Sequence, residues 1–127
     1  MKYLLDVNAL VALGHPHHPF YERFHAWHAR QAGVVDMASC AICDLGFIRV
    51  CMKIYNYTLP KAEEALALVK RDVTGYIDTL PTPRLASWVL AHKQTTDAYL
   101  CQLAAANGMR LATFDSGIKD SAAYLIS

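Results

Sequence analysis

Four aspartates carry the chemistry this sequence could do. Asp6 follows the short run Lys2–Leu5, and Asp115 lies two residues past a second such run, Arg110-Leu-Ala-Thr113. Asp44 sits amid Ile42, Leu45 and Phe47, and Asp97 precedes Leu100, Cys101 and Ala104. Two carboxylates ~4 Å apart repel by roughly 4 kcal/mol at an effective dielectric near 20, so such a group must share protons or hold cations. An all-oxygen donor set suits Mg²⁺ or Mn²⁺, which keep several waters and accept phosphate oxygens. An ion so held acidifies water, orients it in line with a phosphodiester and neutralises the leaving oxygen; a pair of ions sits about 3.5–4 Å apart. Phosphodiester hydrolysis uses this arrangement without a His or Ser nucleophile.

Each acid also has a structural explanation. Asp6 and Asp115 could be helix caps or turn residues. Asp97 could complement a helix dipole, worth ~0.3–1 kcal/mol. Asp44, an acid among apolar neighbours, needs a partner. Spacing alone does not decide between these roles and convergence on one site.

The elements that must position the acids follow from periodicity. Lys2–Leu5 reads as a strand feeding a helix through Leu13, which Gly14 and Pro16 break. Pro16 and Pro19 open a second helix to about Gln31, with Phe20, Phe24 and Trp27 facing the core. Gly33 stops it, and residues 34–37 read as a strand. Ser39 is the expected cap of a helix running through Val50. After the break at 56–59, Pro60 starts a helix to about Arg71. Residues 76–78 read as a strand and Leu85 to about Ala91 as a helix. Thr95 or Thr96 is expected to cap the next helix, whose inner face is Tyr99, Leu100, Leu103 and Ala104 and which Asn107-Gly108 ends. Residues 110–113 and 124–126 read as closing strands. Such alternation implies an α/β fold: a mainly parallel sheet flanked by helices in three layers, α/β/α. Ligands of open sheets sit beyond the carboxyl ends of the strands, which is where Asp6 and Asp115 fall.

Composition sets the class. The 127 residues fit one domain, 1–127. Apolar residues at 54% against 18% charged exclude a disordered chain. A formal charge of +1 gives no strong global attraction for nucleic acid, which argues against a tight duplex binder but not against an enzyme holding one RNA segment. No apolar run approaches the ~20 residues of a membrane span, and no basic-then-apolar leader opens the sequence, so a cytoplasmic setting without membrane attachment is expected. Cys40, Cys43, Cys51 and Cys101 are expected to be free core thiols.

The acidic segments, taken in order, resemble a known family. Leu4-Leu-Asp-Val-Asn-Ala-Leu10 is similar to the first motif of PIN domains, especially the VapC-type toxins of toxin–antitoxin pairs. Cys40-Ala-Ile-Cys-Asp-Leu-Gly-Phe-Ile-Arg-Val50 resembles their second, and Thr96-Asp-Ala-Tyr-Leu100 and Leu111-Ala-Thr-Phe-Asp115 their third and fourth. The resemblance implies a PIN fold and a divalent-metal-dependent endoribonuclease with Asp6, Asp44, Asp97 and Asp115 as catalytic metal ligands. It implies supporting roles for Asn8 and Thr113 and a structural pairing of Arg49 with an acid. Implied partners are structured RNA such as tRNA or rRNA, a VapB-like antitoxin and a second copy of the chain. Asp44 departs from the pattern, because these toxins usually carry Glu there; the shorter side chain makes a weakly catalytic binding or dimerisation module the alternative.

Other constellations compete. Cys40-Ala-Ile-Cys43, following a strand and starting a helix, has the spacing of a dithiol oxidoreductase, though Asp44 beside it disfavours a thiolate. The crowded His15, His17, His18, His25 and His28 lack zinc-site spacing and read as a polar, partly exposed helix edge. Arg84, His92, Lys93, Lys70 and Arg71 are candidate phosphate contacts, and Tyr55, Tyr57 and Trp88 candidate stacking residues.

Overall fold

The computed structural model describes residues 2–31 and 35–127. Strand β1 (Lys2–Leu5) passes through Asp6 into helix α1 (Val7–Gly14). The Asp6 carboxylate caps α1 by accepting the Ala9 N–H at 2.8 Å, so one residue is both strand end and helix cap. Helix α2 (Tyr21–Arg30) buries Phe24 and Trp27, as their spacing predicts, while Phe20 precedes the helix and is only partly buried. Strand β2 (Asp36–Cys40) lies further along than the expected 34–37; Gly33 and Val34 fall outside the described residues. Its Ala38, Ser39 and Cys40 are small yet buried, because β2 lies inside the sheet rather than at its edge.

Ser39 therefore belongs to β2, and Cys40 takes the cap position of α3 (Ala41–Ile54) without a side-chain hydrogen bond. Helix α4 (Leu59–Val69) starts at the Thr58 cap with Pro60 in its first turn. Strand β3 (Gly75–Ile77) follows. The expected helix over 85–91 does not form: the segment makes only a turn, and Leu90 is 89% exposed. Seven residues between prolines and solvent bury too little apolar surface to offset helix nucleation. A 3-10 turn, His92–Gln94, leads into α5 (Thr95–Ala106). Neither Thr95 nor Thr96 caps it; the Thr95 hydroxyl donates back to the His92 carbonyl, and Gln94 holds the N-cap position. Gly108, at φ +66°, ends the helix in the left-handed conformation that glycine adopts without steric cost. Strands β4 (Arg110–Thr113) and β5 (Ala123–Leu125) complete the order.

The five strands form one all-parallel sheet in the order β3-β2-β1-β4-β5, within a three-layer α/β/α architecture. Helices α2, α3 and α4 each pack against α1, and α5 packs on β1 and β4. The chain winds outward from β1 to β3, then returns to place β4 on the other side of β1. That reversal leaves a crevice beyond the carboxyl ends of β1 and β4, where open parallel sheets bind ligands. Among the described residues no helix is long and apolar enough to cross a membrane.

Candidate active site

The crevice is acidic. The β1–β4 register, Leu5 opposite Ala112, brings Asp6 beside Thr113, and the Asp6 N–H donates to the Ala112 carbonyl at 3.1 Å. Both Asp6 and Thr113 are buried. The Thr113 hydroxyl donates to Asp6 Oδ2 while its oxygen accepts the Asp115 N–H at 3.0 Å, so one threonine fixes two acidic positions. Asp115 itself is exposed, with Oδ1 accepting the Gly117 N–H at 2.7 Å in a tight turn. Asp97 is half-buried in the first turn of α5.

Electrostatics ties these three together. Burial pushes the Asp6 carboxyl up from an ordinary 3.8 to about 6; its bonds to Thr113 and Ala9 oppose the rise, and the Asp97 and Asp115 charges add to it. Asp97 is also raised, first by burial and then by Asp115. Carboxylates from three separate segments thus repel one another at one sheet edge. No group of three or more His, Cys, Asp or Glu among the described residues is arranged to hold an ion as it stands. Mg²⁺ is usually bound through only one or two carboxylates plus waters, so the all-oxygen, uncompensated donor set fits a hydrated divalent ion.

Asp44 stands differently. Lys70 Nζ lies 2.8 Å from its Oδ2, the one salt bridge among the described residues, and the Ser39 hydroxyl donates to Oδ1 at 2.6 Å. The Cys43 thiol is held up by its bond with Cys40, by burial and by the charges of Cys40, Asp6 and Asp44.

A model of the PIN domain matches residues 3–123. The chain belongs to the PIN-domain family. It is 34% identical to "Ribonuclease VapC38" of Mycobacterium tuberculosis over 91% of this chain and 86% of that protein. It is 37% identical to "Ribonuclease VapC44" of the same species, over 93% and 89%. "Ribonuclease VapC39", also from that species, is 31% identical over 96% and 94%.

Within this PIN domain several sequence expectations change. Arg49 is exposed and takes part in no ion pair among the described residues, contrary to the expected pairing. Asn8 is exposed in the first turn of α1. Lys70, expected as a phosphate contact, is bound to Asp44, and Ser39, expected as a cap, is Asp44's hydroxyl donor. No spacing signal joins positions 26 residues apart, so the Lys70 contact was invisible in sequence. His15 is buried rather than on an exposed edge, with ring contacts to the Val11 carbonyl at 3.1 Å and Cys51 Sγ at 3.4 Å, and it stacks on Tyr55. Trp88 donates to Asp120 at 2.8 Å. Tyr99, expected on the inner face, is half-exposed and donates to the Pro81 carbonyl.

All four cysteines are free and buried. Cys40 and Cys43 lie 3.6 Å apart. The Cys43 thiol and the backbone N–H groups of Cys43 and Ile42 draw Cys40 down to about 6, against burial and the Asp44 charge. Both residues are fully shielded from solvent. A dithiol oxidoreductase needs an attacking sulfur its substrate can reach, and this pair offers none.

Proposed function

We propose that the chain is a metal-dependent endoribonuclease and the toxin of a VapBC-type pair. The observation that carries this reading is a buried Asp6 raised to about 6 and pressed by Asp97 and Asp115 at the β1/β4 switch point. The relatives named ribonucleases supply the substrate class. Asp6, Asp97 and Asp115 would hold Mg²⁺ or Mn²⁺, with Asp44 joining when Lys70 releases it. The bound ion would supply positive charge, an acidified water and neutralisation of the phosphate oxygens.

The chain's own groups do the rest. Thr113 and the Ala9 N–H fix Asp6 through one bond to each carboxylate oxygen, which leaves each oxygen with a free lone pair. Thr113 also fixes the Asp115 backbone, holding two acids in one frame. Asp97, half-buried in the first turn of α5, would orient the attacking water and take its proton. Asn8, exposed in the first turn of α1, would orient a carboxylate or metal-bound water. The implied partners are tRNA or rRNA, a VapB-like antitoxin and a second copy of the chain, in a cytoplasmic setting.

One observation favours a second reading. The Lys70–Asp44 pair occupies the acid that stands where related toxins carry Glu, which suits a weakly catalytic binding or dimerisation module. Incubation with RNA and Mn²⁺, with and without EDTA, separates the two. The nuclease reading expects cleavage that EDTA stops and that Asp6→Asn and Asp97→Asn abolish; cleavage surviving in both variants refutes it.

A further inference from the structure

Next to Asp115 lies a cleft of about 420 Å³ lined by Arg23, Phe114, Ser116, Leu125, Ile126 and Ser127. Asp115 falls between two of those residues in the chain, so the cleft borders the acidic edge. Phe114 stacks on Phe20 with centroids 4.5 Å apart and planes 20° from parallel. The Arg23 guanidinium carbon lies 5.0 Å from the centre of the Phe20 ring. His18 Nδ1 accepts the Phe20 N–H at 3.0 Å, which anchors the loop carrying that ring. Arg23 is exposed and enters no ion pair among the described residues. Contact with an aromatic ring orients a guanidinium without neutralising it, leaving its donors available. Two further cations at this end are already engaged: Arg30 donates to the Ser127 carbonyl at 3.1 Å and Lys119 to the Ser116 carbonyl at 3.0 Å.

We propose that this cleft is a nucleotide subsite: it holds the residue of single-stranded RNA flanking the scissile phosphate, with Arg23 on a phosphate and Phe114 against a base. The inference rests on the ribonuclease reading and adds to it where the strand lies. An acidic centre repels the RNA backbone, and an uncommitted guanidinium next to it offsets that repulsion with the planar fork that suits phosphate oxygens. Stacking on an aromatic ring is sequence-tolerant because every base has a π-face, so the partly buried Phe114 accepts any base. The volume lies in the range of small-ligand sites. The stretch from His18 to Arg23, with no role in the acidic centre itself, thereby acquires one.

The test is fluorescence anisotropy of a labelled single-stranded RNA dodecamer across a salt series, alongside cleavage of the same RNA with Mn²⁺. Arg23→Gln, Arg23→Lys, Phe114→Leu and the exposed control Lys53→Gln are compared with the unmodified chain, and thermal melting checks folding. The subsite expects Arg23→Gln to weaken binding about tenfold and to lower the salt slope by about 0.7, one single-strand phosphate contact. It expects Arg23→Lys to recover part of both, Phe114→Leu to weaken binding without changing the slope, and Lys53→Gln to change neither. Equal affinity and slope in Arg23→Gln and the unmodified chain overturn the subsite, and so does an equal loss in Lys53→Gln. If the unmodified chain cuts RNA while Arg23→Gln matches it, the subsite alone fails; an unmodified chain that neither binds nor cuts RNA overturns both readings.

Discussion

Replacing Asp6 by Asn should stabilise the metal-free protein while destroying its activity. Burial is the main reason the Asp6 carboxyl rises from 3.8 to about 6, with Asp97 and Asp115 adding to it. Because the folded value exceeds the unfolded one, the contribution to stability is fully present below about 3.8 and is lost as pH rises through about 6. The difference corresponds to about 3 kcal/mol of burden at pH 8. Asn removes that charge and keeps the cap, because its side-chain oxygen can still accept the Ala9 N–H. Its amide then faces the Thr113 hydroxyl, which must turn from donor to acceptor while still receiving the Asp115 N–H; that rearrangement costs about 1 kcal/mol. The net gain is about 2 kcal/mol at pH 8, or about 6 °C in Tm for a chain of this size. Melting in EDTA at pH 8 and pH 4 checks it. The variant should melt higher at pH 8, and the advantage should vanish at pH 4, where the parent's Asp6 is protonated. A variant less stable at pH 8, or a difference independent of pH, refutes the electrostatic account of this site.

Three further outcomes follow from the same contacts. Mn²⁺ at 100 times its Kd should add about 2.7 kcal/mol of stability to the parent, with no shift in Asp97→Asn, read by melting at constant pH. Asp44→Asn should reduce RNA cleavage by no more than about tenfold while Asp6→Asn loses on the order of 100-fold or more, because Lys70 already occupies Asp44; initial rates under matched metal decide it. Gly46→Ala should lower stability by up to about 2 kcal/mol: alanine favours the helix by about 1 kcal/mol, but its Cβ would run into the side chain of Val7, stiff at χ1, and such overpacking costs about 1–3 kcal/mol. Urea unfolding measures the difference.

The acids at strand ends were the most legible feature of the sequence, because a parallel sheet converts chain order directly into position. An apolar run followed at once by Asp6, and another followed by Thr113 and Asp115, needed only the β1–β4 pairing to become one edge. Elements held by tertiary burial were harder to read. Val34 and Val35 suggested a strand, yet β2 runs on through Ala38, Ser39 and Cys40, whose small side chains give little intrinsic strand signal but fit inside the sheet. The 85–91 segment carried helical composition without a face to bury. Side-chain partnerships across the chain were not legible at all: Lys70 with Asp44, and Phe20 with Phe114, depend on how α4 and the segment before α2 settle against distant elements.

Charge compensation separates the acids into two kinds. Asp44 has its counter-ion inside the protein, in Lys70, and needs nothing from solution while that pair holds. Asp6, Asp97 and Asp115 have no ion-pair partner among the described residues. Asp6 caps α1 and Asp97 lies in the first turn of α5, and each helix N-terminus contributes about half a positive charge. Three ionised carboxylates against two such termini leave about two negative charges, which matches one divalent ion. On the proposed reading, charge balance in the RNA-free protein therefore favours a single ion. A second becomes favourable only when a bound phosphate adds charge, or when Asp44 exchanges Lys70 for metal. Asp44 adds to activity only to the extent that this exchange occurs, within the roughly tenfold expected of Asp44→Asn.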